Sequence, residues 1–122
     1  ATDRVVLFGG GSGIVPMRSL LEALPPTVDT RVVYRAHAAD DIILHSELDW
    51  FAGLHGGQVA YLVGPRNPDP SQDVLSPESL RHLVPDLASR DAYKMGGVNG
   101  GQPAGSPFAN YPPEKLQDIE AA

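Results

Sequence analysis

The chain contains no cysteine, a single tryptophan and no lysine before Lys94. Without thiols it has no disulfide framework and no thiolate metal site, and its side chains carry no record of a redox compartment. Without an early lysine the glycine-rich N-terminal stretch contains no G-K-[ST], which excludes a P-loop. Apolar runs are short. None approaches the roughly 18 residues that a membrane-crossing helix needs, and the first residues lack the layout of a signal peptide. Basic side chains are also scarce, 9 against 15 acidic ones, for a formal charge of -6. That balance argues against nonspecific nucleic-acid binding and leaves a local anion site open. The four histidines, His37, His45, His55 and His82, are dispersed without the spacing of a metal-ligand set.

Glycine and proline are plentiful, and their positions carry the meaning. An apolar strand, Val5-Val6-Leu7-Phe8, runs into Gly9-Gly10-Gly11-Ser12-Gly13-Ile14 and then into a helix with Pro16 in its first turn. A strand-to-helix turn with so few side chains brings backbone N–H groups and a helix N-terminus close to whatever sits there, which favours a phosphate. Gly11, Gly13 and Pro16 spell G-x-G-x-x-P, which departs from the dinucleotide fingerprint G-x-G-x-x-G at the last position. Proline suits a first helical turn, where its missing N–H costs nothing. The stretch reads as a pyrophosphate cradle made by Gly10, Gly11, Ser12, Gly13 and Ile14, with Pro16 shaping the helix. The alternative is a glycine-rich turn that binds nothing.

The rest of the chain alternates strand and helix. Met17, Leu20, Leu21 and Leu24 form the apolar stripe of a helix over about Val15–Leu24, stopped by Pro25-Pro26. Arg31–Tyr34 is a second strand. Asp40 or Asp41 is expected to cap a helix carrying Ile43, Leu44, Leu48 and Phe51, and Gly56-Gly57 ends it. Gln58–Val63 is a third strand, delivering the chain into Gly64. A long polar loop from Pro65 to Val74 follows, and then Ser76-Pro77-Glu78 starts a helix with Leu80, Leu83 and Val84 on its apolar face. Asp91–Met95 is a weak fourth strand. These elements predict an α/β domain over 1–95, a three-layer Rossmann-like parallel sheet with helices on both faces. Residues 96–122 form a glycine- and proline-rich tail, read as a flexible extension or a divergent fifth strand, with Pro112–Ile119 a candidate short helix. Ligands of such sheets sit beyond the carboxyl ends of the strands, here Gly9–Gly13, Tyr34–His37 and Gly64–Arg66.

Gly10 to Leu21, with its G-S-G-I-V-P-M-R core, resembles the nucleotide-binding motif of the ferredoxin-NADP reductase superfamily. Val32-Val33-Tyr34-Arg35-Ala36 through Glu47-Leu48 is similar to that family's second strand and "E-L" helix, and Tyr61-Leu62-Val63-Gly64-Pro65-Arg66 to its third strand and basic turn. The resemblance covers roughly residues 4 to 93 and is nearest to ferric-reductase-like modules of the actinobacterial type. It implies the NAD(P)H-binding half of an oxidoreductase, with FAD or FMN in a separate flavin-binding domain expected ahead of the first strand. Electrons would pass on to a ferredoxin, haem or ferric acceptor. The expected location is cytoplasmic, or the cytoplasmic side of a membrane if the full-length protein has a transmembrane part. Where the family carries a C-G-P-x-x-M turn this chain has Tyr93-Lys94-Met95-Gly96-Gly97, with Met95 in place of the cysteine. A non-catalytic nucleotide-binding or interaction domain is the alternative.

Three arginines are candidate cofactor contacts. Arg18 lies one turn into the first helix, within reach of phosphate or solvent. Arg35 and Arg66 follow strand ends, where a planar guanidinium suits a ribose or a 2′-phosphate. His37 is a candidate contact to adenosine. An acidic residue at the end of the second strand favours NAD and a basic one NADP, so Arg35 tilts the expectation toward NADP.

Overall fold

The computed structural model describes residues 4–65, 67–96 and 116–119. Five strands, β1 (Arg4–Gly10), β2 (Asp29–Ala36), β3 (Val59–Val63), β4 (Asp91–Gly96) and β5 (Leu116–Ile119), form one sheet in the order β3-β2-β1-β4-β5. Every neighbouring pair is parallel. Central β1 sets Leu7 opposite Val32 on one side and Tyr93 on the other. Among the described residues three helices cross over, α1 (Ile14–Ala23), α2 (His45–Leu54) and α3 (Pro77–Leu83).

Successive strand residues point to opposite faces, so the unbroken apolar run of β1 serves two cores. Val5 and Leu7 join Val32 and Tyr34 against Ile14, Met17 and Leu21 of α1 and Leu48 and Ala52 of α2. Val6 and Phe8 join Val33 and Ala92 against Leu75, Leu80 and Val84 around α3. The expected α/β architecture with helices on both faces is the one observed. Ser76 caps α3 as its sequence predicts, its hydroxyl accepting from the Ser79 N–H at 3.1 Å, with Pro77 at the first position.

Two expectations are corrected. Neither Asp40 nor Asp41 caps α2: both lie in a 3-10 turn, Ala39–Asp41, and α2 starts only at His45 because Leu44 takes a left-handed conformation at φ 57°. The Asp41 carboxylate accepts from the Ala38 N–H at 3.1 Å and so closes its own turn. The segment to Ile43 is held by the Tyr34 hydroxyl, which accepts from the Ile43 N–H at 3.0 Å and donates to the Asp41 carbonyl at 3.3 Å. In the tail, Leu116–Ile119 is a strand and not the short helix, pairing Ala92 with Leu116 and Met95 with Ile119. A segment this short has too little intrinsic helical preference to resist an open strand edge beside it.

Two polar side chains pin the elements from inside. Arg90, 1% exposed, reaches the amino ends of β1 and β2. Its Nε donates to Asp86 at 2.9 Å, Nη1 to the carbonyls of Val5 and Asp29 at 3.0 and 2.9 Å, and Nη2 to the Asp29 carboxylate at 3.1 Å. His55, buried just beyond α2, sets its Nδ1 3.0 Å from the Val28 carbonyl oxygen and its Nε2 3.1 Å from that of Leu21 in the last turns of α1. Substitution of His55 by alanine takes a donor from between these two carbonyls and leaves a void, so urea denaturation is expected to show a loss of about 2–3 kcal/mol. An unchanged midpoint would refute the bridging role.

Candidate functional site

The glycine turn, the end of β2 and the end of β3 meet at one cleft. It holds about 430 Å³ and is lined by Gly11, Tyr34, Arg35, Ala36, His37, Asp41 and Gly64. Gly11 opens the floor at φ +54°, a conformation that side-chain-bearing residues rarely adopt and that turns the chain out of β1 and into α1. At Gly9, two residues earlier, a Cβ would stand 2.6 Å from the Met17 sulfur, so the bare backbone there is what lets α1 lie tight on β1. Across the cleft the Gly64 N–H donates to the Ala36 carbonyl at 3.0 Å, and a Cβ on Gly64 would stand 2.8 Å from Val74 Cγ1. The strand ends thus approach one another and the loop beyond them with no side chain between.

The sequence candidates separate in space. Gly11, Arg35 and Gly64 line the cleft together with His37. Gly10 and Gly13 are buried in the turn, and Ile14 is 0% exposed in the core, so its side chain faces away from any ligand. Ser12 lies in the 3-10 turn Gly11–Gly13, and Pro16 in the first turn of α1. Arg66 lies outside the described residues. Arg18 is engaged elsewhere: Nε donates to Glu47 and Nη1 to Glu22, both at 2.8 Å, and the guanidinium sits 5.3 Å over the Phe51 ring. The Glu47 contact foremost raises its pKa above the ordinary arginine value, and the side chain clamps α1 to α2. Arg35 ends against Asp73, Nη2 to Oδ1 at 2.8 Å, with side-chain exposures of 5% and 12%. Its positive charge is neutralised below the cleft surface.

No protein-family model matches the sequence. NADH-cytochrome b5 reductase 1 of Meyerozyma guilliermondii is 30% identical over 101 residues, which is 76% of this chain and 35% of that protein. Among solved structures, the cytochrome b5 reductase domain of Ulva prolifera nitrate reductase superposes with a TM-score of 0.66 at 18% identity, over 97% of this chain and 49% of that one. A ferredoxin-NADP+ reductase variant of Plasmodium falciparum, in complex with 2′P-AMP, gives 0.59 at 13% identity over 96% and 51%. The Amycolatopsis cytochrome P450 reductase gives 0.59 at 18% over 97% and 37%. The fold is that of the ferredoxin-NADP reductase NAD(P)-binding domain.

The chain spans about a third to a half of the length of these reductases. Within this fold the cleft lies at the carboxyl ends of β1, β2 and β3, where open parallel sheets bind their ligands. Three residues that shape it carry no local sequence signal of doing so. In sequence Tyr34 is simply part of a strand, and its anchoring of the turn depends on where the chain returns at Ile43. Asp41 has the pattern of a helix cap and is instead an exposed carboxylate on the cleft wall. Asp73 is one polar residue in a loop, and no local pattern links it to Arg35 across the fold.

Proposed function

We propose that this chain is the NAD(P)H-binding half of a flavin-dependent oxidoreductase, which passes electrons through FAD or FMN in a partner domain to a haem, ferredoxin or ferric acceptor. The observation that carries this reading is the cleft at the strand ends, floored by a turn whose Gly11 sits at φ +54°. Its 430 Å³ falls within the range of small-molecule and cofactor pockets. Gly9 and Gly64 leave bare backbone where a Cβ would collide with Met17 and Val74, which lets α1 and the loop after β3 close in around the strand ends that frame the cleft. The names of the relatives and structural neighbours agree in kind: an NADH-cytochrome b5 reductase, a ferredoxin-NADP+ reductase and a cytochrome P450 reductase. On the G-S-G-I-V-P-M-R and Y-R-A motifs we further assign the chain to the actinobacterial ferric-reductase-like type.

A nicotinamide nucleotide held here would supply a hydride, and a flavin in the partner domain would supply the exchange between two-electron and one-electron chemistry. The work of this chain is to hold and orient. The turn Gly11–Gly13 offers backbone N–H groups at the start of α1 to the pyrophosphate. The β2 end, with His37 and Asp41, forms the wall for the adenosine ribose.

Among the described residues of the cleft wall, the charge displayed to solvent is the Asp41 carboxylate, whereas Arg35 is paired with Asp73. A carboxylate there accepts from a ribose 2′-hydroxyl and repels a 2′-phosphate, so the nucleotide this reading favours is NADH and not the NADPH that Arg35 alone suggests. Calorimetric titration of the 122-residue chain is expected to show NADH binding at least about tenfold more tightly than NADPH, the scale of one charge-assisted hydrogen bond or one like-charge repulsion. Failure of both nucleotides to bind folded protein at millimolar concentration would sink the proposed function. Equal binding would sink only the preference.

A further inference from the structure

We propose that Asp73 is a specificity-determining residue: by holding Arg35 in a buried ion pair it withholds from the cleft the one described cation of its wall, and so selects against nucleotides carrying a 2′-phosphate. The inference rests on the nucleotide-binding reading above and concerns how that site discriminates. Arg35 follows Tyr34 at the end of β2, and both line the cleft together with His37 and Asp41. On sequence grounds an arginine in this place is the natural partner of a phosphate, because its planar fork binds phosphate bidentately. The fold employs it otherwise. Tyr34 points to the α1 and α2 face, and Arg35, next along the strand, lies on the other side, where its Nη2 forms an ion pair with Asp73 Oδ1 at 2.8 Å.

Asp73 is itself held in place. Its Oδ2 accepts from the Asn67 N–H at 3.0 Å and its Oδ1 from the Leu75 N–H at 3.1 Å. One carboxylate therefore folds the loop between β3 and α3 and fixes the guanidinium at once. Leu75 belongs to the core under α3, and Val74 abuts Gly64 at the cleft, so the loop cannot drift without disturbing both. A 2′-phosphate entering the cleft would have to draw a 5% exposed guanidinium away from a partner that two backbone donors hold still. A 2′-hydroxyl makes no such demand.

Asp73→Asn removes the negative charge beside Arg35 and keeps an amide oxygen for one of the two backbone N–H groups, those of Asn67 and Leu75, that the carboxylate serves with separate oxygens. Loss of the Asp73 charge makes burial of this guanidinium less favourable, and the adjacent cleft offers it solvent or an anion. The test is calorimetric titration of wild-type and D73N protein with 5′-AMP and 2′P-AMP. D73N is expected to bind 2′P-AMP at least about tenfold more tightly than wild type does, the usual scale of a charge-assisted hydrogen bond, while 5′-AMP shifts much less. The double variant D73N/R35Q is expected to lose that gain. Equal shifts for both ligands, no shift for 2′P-AMP, or a gain that persists in the double variant would each overturn the proposal. The wild-type protein gives a second measurement that needs no folded variant: it is expected to bind 5′-AMP more tightly than 2′P-AMP, and equal binding or any preference for 2′P-AMP overturns the proposal. If folded wild-type protein binds neither ligand, the nucleotide-binding reading itself falls, an outcome distinct from loss of the selectivity argument alone.

Discussion

Arg90→Met lowers the free energy of unfolding by about 2–4 kcal/mol, chiefly the cost of leaving inward-facing backbone carbonyls without their donor. Methionine fills much of the aliphatic volume but satisfies none of the groups that Arg90 serves. The carbonyls of Val5 and Asp29 lose the Arg90 donor, and the carboxylates of Asp86 and Asp29 each lose the nearer of their two arginines, keeping Arg4 and Arg31 at 3.5 Å. The two strands joined there are the central strand β1 and its neighbour β2, so the loss is expected to be global and cooperative. Urea denaturation followed by far-ultraviolet circular dichroism measures it, and a loss below about 1 kcal/mol, the level of an exposed pair, would show that the network is ornamental.

The same network has a pH signature. The Arg90 hydrogen bond foremost, working against partial burial, holds the Asp86 carboxyl below its ordinary value. A carboxyl depressed in the folded state contributes stability that is fully present above its unfolded value and is lost as the pH falls through the folded one. Wild-type stability should therefore decline in the acid range below the ordinary aspartate value of 3.8, and Arg90→Met should flatten the part of that decline due to Asp86.

The second large effect is at Gly11. Valine there must adopt φ near +54°, which costs a side-chain-bearing residue about 1–2 kcal/mol, and its branches project at the turn that floors the cleft. Nucleotide affinity is expected to fall at least about tenfold, the equivalent of a single good hydrogen bond or more. Gly11→Asn separates the two causes. Asparagine tolerates the left-handed region, so G11N should keep most of its stability and still lose affinity, because its side chain occupies space the ligand needs. If G11N binds as wild type does, strain and not occupancy explains the valine result.

Much of this fold is legible in the sequence because burial on both faces leaves a plain trace. Val5–Phe8 is continuously apolar, and the structure divides it residue by residue between two cores. The stripes of Met17 and Leu21 in α1, and of Leu80 in α3, are likewise local consequences of helical period. The convergence of the glycine turn with the ends of β2 and β3 follows from parallel connectivity. What escapes a local reading is decided by residues distant in the chain. Leu44 accepts a left-handed conformation that no local preference recommends, in a segment tied down by Tyr34. Arg18 looks like a phosphate ligand until Glu47 is seen to be within 2.8 Å. Arg35 carries the same charge whether or not Asp73 neutralises it, and only the folded loop decides which.

The strand order carries a kinetic consequence. Central β1 pairs with β2 on one side, but its other neighbour, β4, begins only at Asp91. Closing so long a loop is entropically slow, and non-local parallel pairing lowers folding rates. On the ribosome, Val5 to Phe8 emerge long before Ala92 and Tyr93 exist to complete their sheet. Until then one side of an apolar strand remains an unpaired edge, a template for intermolecular association. Refolding yield should therefore fall with protein concentration more steeply than the modest size of the domain suggests, with the lost material in intermolecular β-structure.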